Sequence, residues 1–149
     1  MLKKYLTLTL FLVSFSLSAQ EKNNDTQLII NTIENYFNGY VERDSEQLNK
    51  AFDIQNGTMK VPSKTEDGKE SFENKYFSDI IPKWGSREKL SQKNKDNCAL
   101  EILNMDIVDG KIATAKINMK IEETVYIDIL SLQKINQVWK ITNKIYIVR

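Results

Sequence analysis

The side chains that could do chemistry in this chain are carboxylates, amides and phenols, because its 149 residues include no histidine and a single cysteine, Cys98. Ser-His-Asp and Cys-His nucleophiles are therefore excluded, as are zinc sites built from His and Cys clusters. A carboxylate site for Ca²⁺ or Mg²⁺ stays formally open, although the sequence has no Asp-rich calcium loop. We expect no metal, no cofactor and no intrachain disulfide.

Strand periodicity predicts which polar side chains share one buried face. From Cys98 onward the chain reads as a four-stranded meander with two-residue turns at Asp109-Gly110, Glu122-Glu123 and Asn136-Gln137. Turns of this length fix the cross-strand partners. The predicted rows of neighbours are Ile102, Ile117, Asp128 and Ile145; Asn104, Ala115, Leu130 and Asn143; and Asp106, Ala113, Leu132 and Ile141.

These rows place polar residues and two alanines on an otherwise apolar face, which is typical of a pocket lining. The predicted pocket residues on the sheet are Asn104, Asp106, Asp128 and Asn143. The alternative is a closed core in which Tyr36 or Tyr40, from the first helix, supplies the hydrogen bond that a buried Asp128 needs. Asp106 can equally be solvated at the rim.

Apolar residues at three- and four-residue steps predict the helices that cover this face. The first helix runs from Asp25 or Thr26 to Glu42, and a shorter one starts at Asp44 with Gln47 as its capping-box partner. The other predicted elements are strands at Met59–Ser63 and Lys69–Phe72, a helix from Phe72 to Ile81 that Pro82 ends, and a polar loop from Trp84 to Asn97.

The opposite face of the last two strands is also apolar, which a solvated sheet face should not be. Its predicted members are Val125, Ile127, Ile129, Tyr146 and Val148. The pattern predicts a homodimer that pairs through this face. The alternative is that the loop from Trp84 to Asn97 folds over it.

Residues 1–19 have the three parts of a secretory signal: Lys3 and Lys4, an uncharged stretch from Leu6 to Leu17, and the small residues Ser18 and Ala19. We expect cleavage after Ala19, export to the periplasm or the medium, and a single domain over residues 20–149. The alternative is an uncleaved membrane anchor. Without the two signal lysines the charges of the chain nearly balance, so nothing favours nucleic acid or an anionic membrane surface as a partner.

Three segments together resemble the nuclear transport factor 2-like superfamily, and within it the putative lumazine-binding family. They read I-E-N-Y-F-N-G-Y-V-E-R-D (33–44), I-V-D-G-K-I-A-T-A-K-I (107–117) and D-I-L-S-L-Q-K-I-N-Q-V-W-K-I-T-N-K (128–144). The resemblance implies an α+β, cone-like fold with N-terminal helices on a curved antiparallel sheet, and a homodimer through the outer sheet face. The other ligand-binding candidates, beside the four polar sheet residues, are Tyr36, Tyr40 and Trp139.

Ketosteroid isomerases share this fold and stabilise an oxyanion with a helix tyrosine and a protonated strand aspartate. Tyr36 and Asp128 resemble that pair and are the catalytic candidates, whereas the position of the catalytic base falls on Lys60. A protonated lysine does not abstract a proton from carbon unless burial strongly lowers its pKa. The resemblance therefore implies an exported small-molecule-binding protein with a mostly apolar cavity. The alternatives are an isomerase-like or cyclase-like enzyme and an interaction module with a filled core.

Overall fold

The computed structural model describes residues 24–149, in which helices pack on one face of a six-stranded sheet. The predicted secretory signal, residues 1–19, lies outside the described residues. The elements are α1 (24–42), α2 (Ser45–Ala51), β1 (Thr58–Lys64), β2 (Glu70–Tyr76), α3 (Phe77–Gly85), α4 (Gln92–Asp96), β3 (Ala99–Val108), β4 (Ile112–Ile121), β5 (Thr124–Ile135) and β6 (Val138–Val148). Within this part of the chain, no helix has the length and apolar character needed to cross a membrane.

The strands lie in the order β2-β1-β6-β5-β4-β3, and the curved sheet does not close into a barrel. Strands β3 to β6 form the predicted antiparallel meander, whereas β1 joins β6 in parallel. The predicted two-residue turns at Glu122-Glu123 and Asn136-Gln137 are confirmed by the pairs Ile121–Thr124 and Ile135–Val138. The turn at Asp109-Gly110 is present but one residue longer than predicted, because Val108 pairs with Ile112. Asp109 and Gly110 have φ of 53° and 61°, and Asn136 and Gln137 have φ of 49° and 66°. Positive φ at both central residues is the requirement of the hairpin turn whose twist matches that of paired strands.

The predicted start of the second helix is also confirmed. The side chain of Asp44 accepts hydrogen bonds from the backbone N–H of Glu46 at 2.8 Å and of Gln47 at 3.2 Å. The side chain of Gln47 donates back to Asp44 at 3.3 Å. These bonds satisfy amide groups that the first turn of a helix leaves unpaired.

The third helix begins and ends later than predicted. Phe72 lies in β2 and is 64% exposed, and α3 continues through Pro82 to Gly85. Proline removes one helical hydrogen bond, but burial of Phe77, Ile81 and Trp84 against the core holds the helix together beyond it. The predicted loop from Trp84 to Asn97 therefore contains the end of α3 and also the short helix α4.

The predicted strand rows are wrong over part of the sheet because β3 and β6 each contain one extra residue. Leu103 has no partner between the pairs Ile102–Ile117 and Asn104–Lys116, and Thr142 has none between Leu132–Ile141 and Ser131–Asn143. One extra residue reverses which side chains face the helices from that point on. The rows of β4 and β5, which contain no such shift, follow the prediction.

The reversal moves three predicted pocket residues off the helix-covered face. Asn104 and Asp106 now pair with the exposed residues Lys116 and Thr114 and are exposed themselves. Asn143 donates to the backbone carbonyl of Thr58 at 3.2 Å and to its hydroxyl at 3.0 Å. The expectation that these three residues lie in the buried rows is therefore wrong.

The same reversal changes the outer apolar face. Tyr146 pairs with Asp128 and Val148 with Tyr126, so both belong to the helix-covered side rather than to the predicted dimer face. Ile145 and Ile147 take their places, opposite Ile129 and Ile127. We call Val125, Ile127, Ile129, Ile145 and Ile147 the outer apolar patch; Ile129, Ile145 and Ile147 are 46%, 41% and 52% exposed.

Candidate functional site

A buried charged cluster lies where α1 crosses the middle of β5 and β6. The ammonium of Lys144 is 2.7 Å from Asp128 Oδ2 and also contacts the hydroxyl of Tyr36. The Tyr36 hydroxyl donates to the same carboxylate oxygen at 3.0 Å. Asp128 and Tyr36 are fully buried and Lys144 is 3% exposed. A buried ion pair of this kind is held only where hydrogen bonds offset the cost of removing both charges from water.

Local sequence explains how each member reaches this point. Tyr36 continues the buried stripe of α1 that begins with Ile29 and Ile33, so the same periodicity that buries the helix points its hydroxyl at the sheet. Lys144 faces the helices only because Thr142, the extra residue in β6, exchanges the two faces for the side chains that follow it. It then lies opposite Leu130, diagonal to Asp128, within reach of the carboxylate.

Aromatic rings surround the Lys144 ammonium. Its nitrogen lies 4.8 Å from the ring centre of Tyr146, 5.0 Å from Tyr36, 5.8 Å from Trp84 and 5.9 Å from Tyr126. A cation attracts the negative face of an aromatic ring at such distances. The rings stabilise the charge while they exclude water from it.

The cluster forms one wall of a cavity of about 220 Å³. Its other walls come from α1, α3, β1 and the ends of β4, β5 and β6. The lining residues are Tyr36, Tyr40, Met59, Val61, Ile80, Trp84, Arg87, Met119, Tyr126, Lys144 and Tyr146. An aromatic and aliphatic surface with a few polar groups is the usual lining of a small-molecule site.

Two guanidinium groups lie against Tyr40, on the wall of this cavity. Arg87 is 5.4 Å from the centre of the Tyr40 ring and contacts its hydroxyl, and Arg43 is 5.0 Å from the same ring. Arg87 lines the cavity, whereas Arg43 does not. Among residues 24–149, no carboxylate forms an ion pair with either arginine. The exposed Arg87 therefore leaves a positive charge at the cavity.

Burial shifts the proton affinities of the cluster. Removal from water lowers the pKa of Lys144, and the opposing influence of the Asp128 carboxylate does not restore it. Burial and then the charge of Asp128 raise the pKa of Tyr36 well above 10.0. Burial also raises the pKa of Tyr126 and of Tyr146. At neutral pH the cavity thus presents phenolic hydroxyls rather than phenolates.

The structure brings together some of the predicted site residues and separates others. Tyr36 and Tyr40 line the cavity and Asp128 lies behind its wall, whereas Asn104, Asp106 and Asn143 do not line it. Sequence reasoning missed Lys144, Arg87 and Trp84. The available signal for Lys144 was its position directly before the apolar run I-Y-I-V (145–148) of β6, since a charge that is buried beside such a run needs a partner.

Trp139 belongs to a different cluster, near the start of α1. Its indole N–H donates to Asp25 Oδ1 at 2.9 Å, and the Lys134 ammonium is 2.7 Å from the same oxygen. Burial alone would raise the pKa of Asp25, but the hydrogen bonds from Lys134 and Trp139 lower it. Asp25 precedes Tyr36 by three helical turns, about 16 Å along the axis. Trp139 therefore anchors α1 and does not line the cavity.

Of the residues with implied isomerase-like roles, Tyr36 and Asp128 are hydrogen-bonded to each other, whereas Lys60 lies on the outer face of the sheet. Asp128 Oδ2 accepts hydrogen bonds from Tyr36 and Lys144, whereas the buried Oδ1 has no hydrogen-bond partner among residues 24–149. Lys60 pairs with Ile145 on the outer face and is exposed. Within residues 24–149, no three Asp, Glu, His or Cys side chains come close enough to hold a metal ion.

The fold places this molecule among proteins with the nuclear transport factor 2-like architecture. A nuclear transport factor 2-like protein of unknown function from Shewanella baltica superposes with a TM-score of 0.66 and 21% identity, over 85% of this chain and 94% of that one. A protein of the same description from Methylobacillus flagellatus gives 0.64 and 24%, over 85% and 93%. One from Silicibacter pomeroyi gives 0.67 and 14%, over 86% and 98%.

The family assignment is narrower than the fold. Residues 24–147 match the family described as "Putative lumazine-binding", so the chain belongs to that family. The search of curated proteins found no match. The resemblance noted in the sequence, at both the superfamily and the family level, is therefore confirmed.

Proposed function

We propose that this protein binds a small planar molecule that carries a carbonyl or anionic oxygen, in the cavity beside Lys144. The observation that carries the proposal is the Lys144 ammonium, which is buried at the wall of a cavity lined by aromatic rings. It offers a charged hydrogen-bond donor to an oxygen, while the rings offer flat surfaces to a conjugated ring. The description of the family as lumazine-binding agrees with this chemistry, since lumazine is a fused ring with carbonyl groups.

The volume of the cavity limits the ligand. At about 220 Å³ it is smaller than the roughly 300–1,000 Å³ pockets that hold drug-sized molecules. One ring or two fused rings therefore fit this space better than the four rings of a steroid. The unpaired charge of Arg87 adds a preference for a ligand that is anionic at one end.

Binding is tested with lumazine, benzoate and benzamide, monitored by Trp fluorescence and by thermal shift. Trp84 lines the cavity and reports occupancy, whereas Trp139 is buried in the other cluster. We expect lumazine and benzoate to quench the fluorescence and raise the melting temperature by mass action. Failure of both compounds in both measurements would contradict the proposal.

Two matched arginine variants test whether Arg87 binds the anionic group of the ligand. Both Arg87 and Arg43 stack on Tyr40, but Arg87 alone of the two lines the cavity. Loss of a charge-assisted hydrogen bond should weaken benzoate binding to Arg87→Gln by about tenfold to a hundredfold. Binding to Arg43→Gln should change much less, and benzamide should bind both variants as it binds the unmodified protein.

We further propose that the protein acts outside the cytoplasm as a homodimer. Residues 3–19 carry the secretory pattern, and protein recovered from the periplasm of a bacterial host should begin at Gln20. Intact residues 1–19 on the recovered protein would contradict export with cleavage.

The outer apolar patch supports the proposed homodimer, because two copies related by a twofold axis can cover the same apolar surface on each other.

A further inference from the structure

Lys144 differs from the other lysines of the described chain in having its amine inside a cavity. It is the one lysine among residues 24–149 whose side chain is buried, at 3% exposed, yet it lines the space of about 220 Å³. Four aromatic rings and the Asp128 carboxylate surround its nitrogen. A molecule that enters the cavity therefore meets this amine directly.

An amine becomes a nucleophile only when it has lost its proton, and for Lys144 the exclusion of water favours that loss more strongly than the Asp128 carboxylate opposes it. Burial lowers the pKa of Lys144, because the rings do not solvate an ammonium as water does. Asp128 Oδ2, 2.7 Å away, is placed to accept the proton. The other titratable groups around the amine are the phenols of Tyr36, Tyr126 and Tyr146.

We propose that Lys144 adds covalently to an aldehyde bound in the cavity and forms an imine. This step deepens the proposed function, on which it rests, by specifying an aldehyde as the carbonyl of the ligand. The lone pair of the neutral amine forms the C–N bond, the C=O π electrons move to oxygen, and that oxygen takes the proton that the nitrogen loses, which gives a carbinolamine. Loss of the hydroxyl with one proton as water then leaves the C=N bond, so the reaction is reversible and needs no oxidant.

The surroundings of the amine define the aldehyde class. The aromatic walls favour an aryl or other conjugated aldehyde, and the volume limits it to about the size of a fused bicycle. Arg87 lines the same cavity and forms no ion pair within residues 24–149, so it favours a ligand that also carries an anionic group. An aromatic aldehyde that also carries a carboxylate has these features, and para-carboxybenzaldehyde is the probe.

The experiment traps the imine in the mature protein, residues 20–149. The protein is treated with para-carboxybenzaldehyde and sodium cyanoborohydride, which reduces the imine to a stable amine, and each lysine is then followed by peptide mass mapping. We expect the Lys144 peptide to be labelled severalfold faster than peptides of exposed lysines, because the lowered pKa of Lys144 leaves more of its amine neutral. Lys144→Arg, which keeps a cation beside Asp128, should lose this label, whereas Lys116→Arg on the exposed face should keep it.

A protection arm uses the unmodified protein and so does not depend on the folding of a variant. The corresponding alcohol, para-hydroxymethylbenzoate, has the same shape but no carbonyl, and it should slow labelling of Lys144 and raise the melting temperature. Labelling spread over exposed lysines with Lys144 unmodified would overturn the imine. If the alcohol still raises the melting temperature in that case, the binding function stands alone; if it does not, both proposals fail.

Discussion

Asp128 and Lys144 are diagonal neighbours on adjacent strands, and their charged atoms lie 2.7 Å apart beneath the first helix. Each neutralises the other in a place where a single charge would be costly. The pair therefore gives the cavity wall a strong hydrogen-bond donor without a large net charge. The excess positive charge comes instead from Arg87 at the exposed side.

Substitution of Lys144 by Met should destabilise the protein by about 3–5 kcal/mol, because it leaves the Asp128 carboxylate buried without its cation. Urea unfolding of the unmodified protein and the variant measures this difference. A double variant, Asp128→Asn with Lys144→Met, removes both charges and should recover most of the loss.

The control for this prediction is an ion pair at the surface. Lys50 lies 3.0 Å from Glu46, with both side chains more than half exposed. Lys50→Met should cost less than about 1 kcal/mol, because water and salt screen such a pair. Equal losses in Lys50→Met and Lys144→Met would contradict the role assigned to the buried pair.

Tyr36 should make the protein sensitive to alkaline pH. Its pKa in the folded state lies well above 10.0, so its contribution to stability is fully present below pH 10.0 and is lost as pH rises above that value toward the folded pKa. The difference in unfolding free energy between the unmodified protein and Tyr36→Phe should therefore shrink above pH 10.0, by up to about 1.4 kcal/mol per pH unit. Parallel stability curves across this range would contradict the prediction.

The outer apolar patch should hold two copies together. Ile129 and Ile145 are paired across β5 and β6 at its centre, so Ile129→Glu or Ile145→Glu would bury a carboxylate in the dimer. We expect light scattering to show a dimer for the mature protein and a monomer for either variant. Lys83→Glu, an exposed change on α3, is the control and should leave the dimer intact. A mature protein that is already monomeric would contradict the dimer.

The turn between β5 and β6 should be more stable with glycine at position 137 than with the natural Gln137. Gln137 has φ of 66°, which costs an L-residue about 1–2 kcal/mol relative to its preferred backbone. Gln137→Gly should therefore raise the unfolding free energy by about 1 kcal/mol, after the greater freedom of glycine in the unfolded chain is deducted. Asn136→Gly should gain less, because Asn adopts this conformation more readily. A loss of stability in Gln137→Gly would contradict this account.

The sequence was sufficient for the parts of the fold that depend on local periodicity. The stripe that includes Ile33, Tyr36 and Tyr40 defined α1, and the Asp109-Gly110 turn defined the β3–β4 hairpin. A hydrogen bond between Tyr36 and Asp128 was predicted as part of the closed-core alternative. The structure contains this bond, at 3.0 Å. Each of these depends on residues that are close in sequence or on an uninterrupted strand register.

The faces of the residues that follow Leu103 in β3 and Thr142 in β6 could not be predicted. An extra residue in a strand hardly changes the order of apolar and polar side chains in the sequence. Thr142 is neither glycine nor proline, and a strict alternation through it put Asn143 in the pocket and Lys144 outside. The structure reverses this order because packing of the partly buried Tyr146 against the core and pairing of Lys144 with Asp128 together favour the shifted register. Arg87 could not be predicted either, since its place depends on where α3 ends beyond Pro82.

The unpaired residues Leu103 and Thr142 have a consequence for how relatives of this chain can diverge. Loss of one residue inside a regular strand exchanges its two faces and would turn the cavity wall outward. Loss of Leu103 or Thr142 instead straightens the strand while every later side chain keeps its face. These two positions are therefore where homologous chains can differ in length by one residue and still present the same wall to a ligand. For a relative that lacks a residue equivalent to Thr142, an alignment with no gap at that position would match Lys144 to the wrong residue.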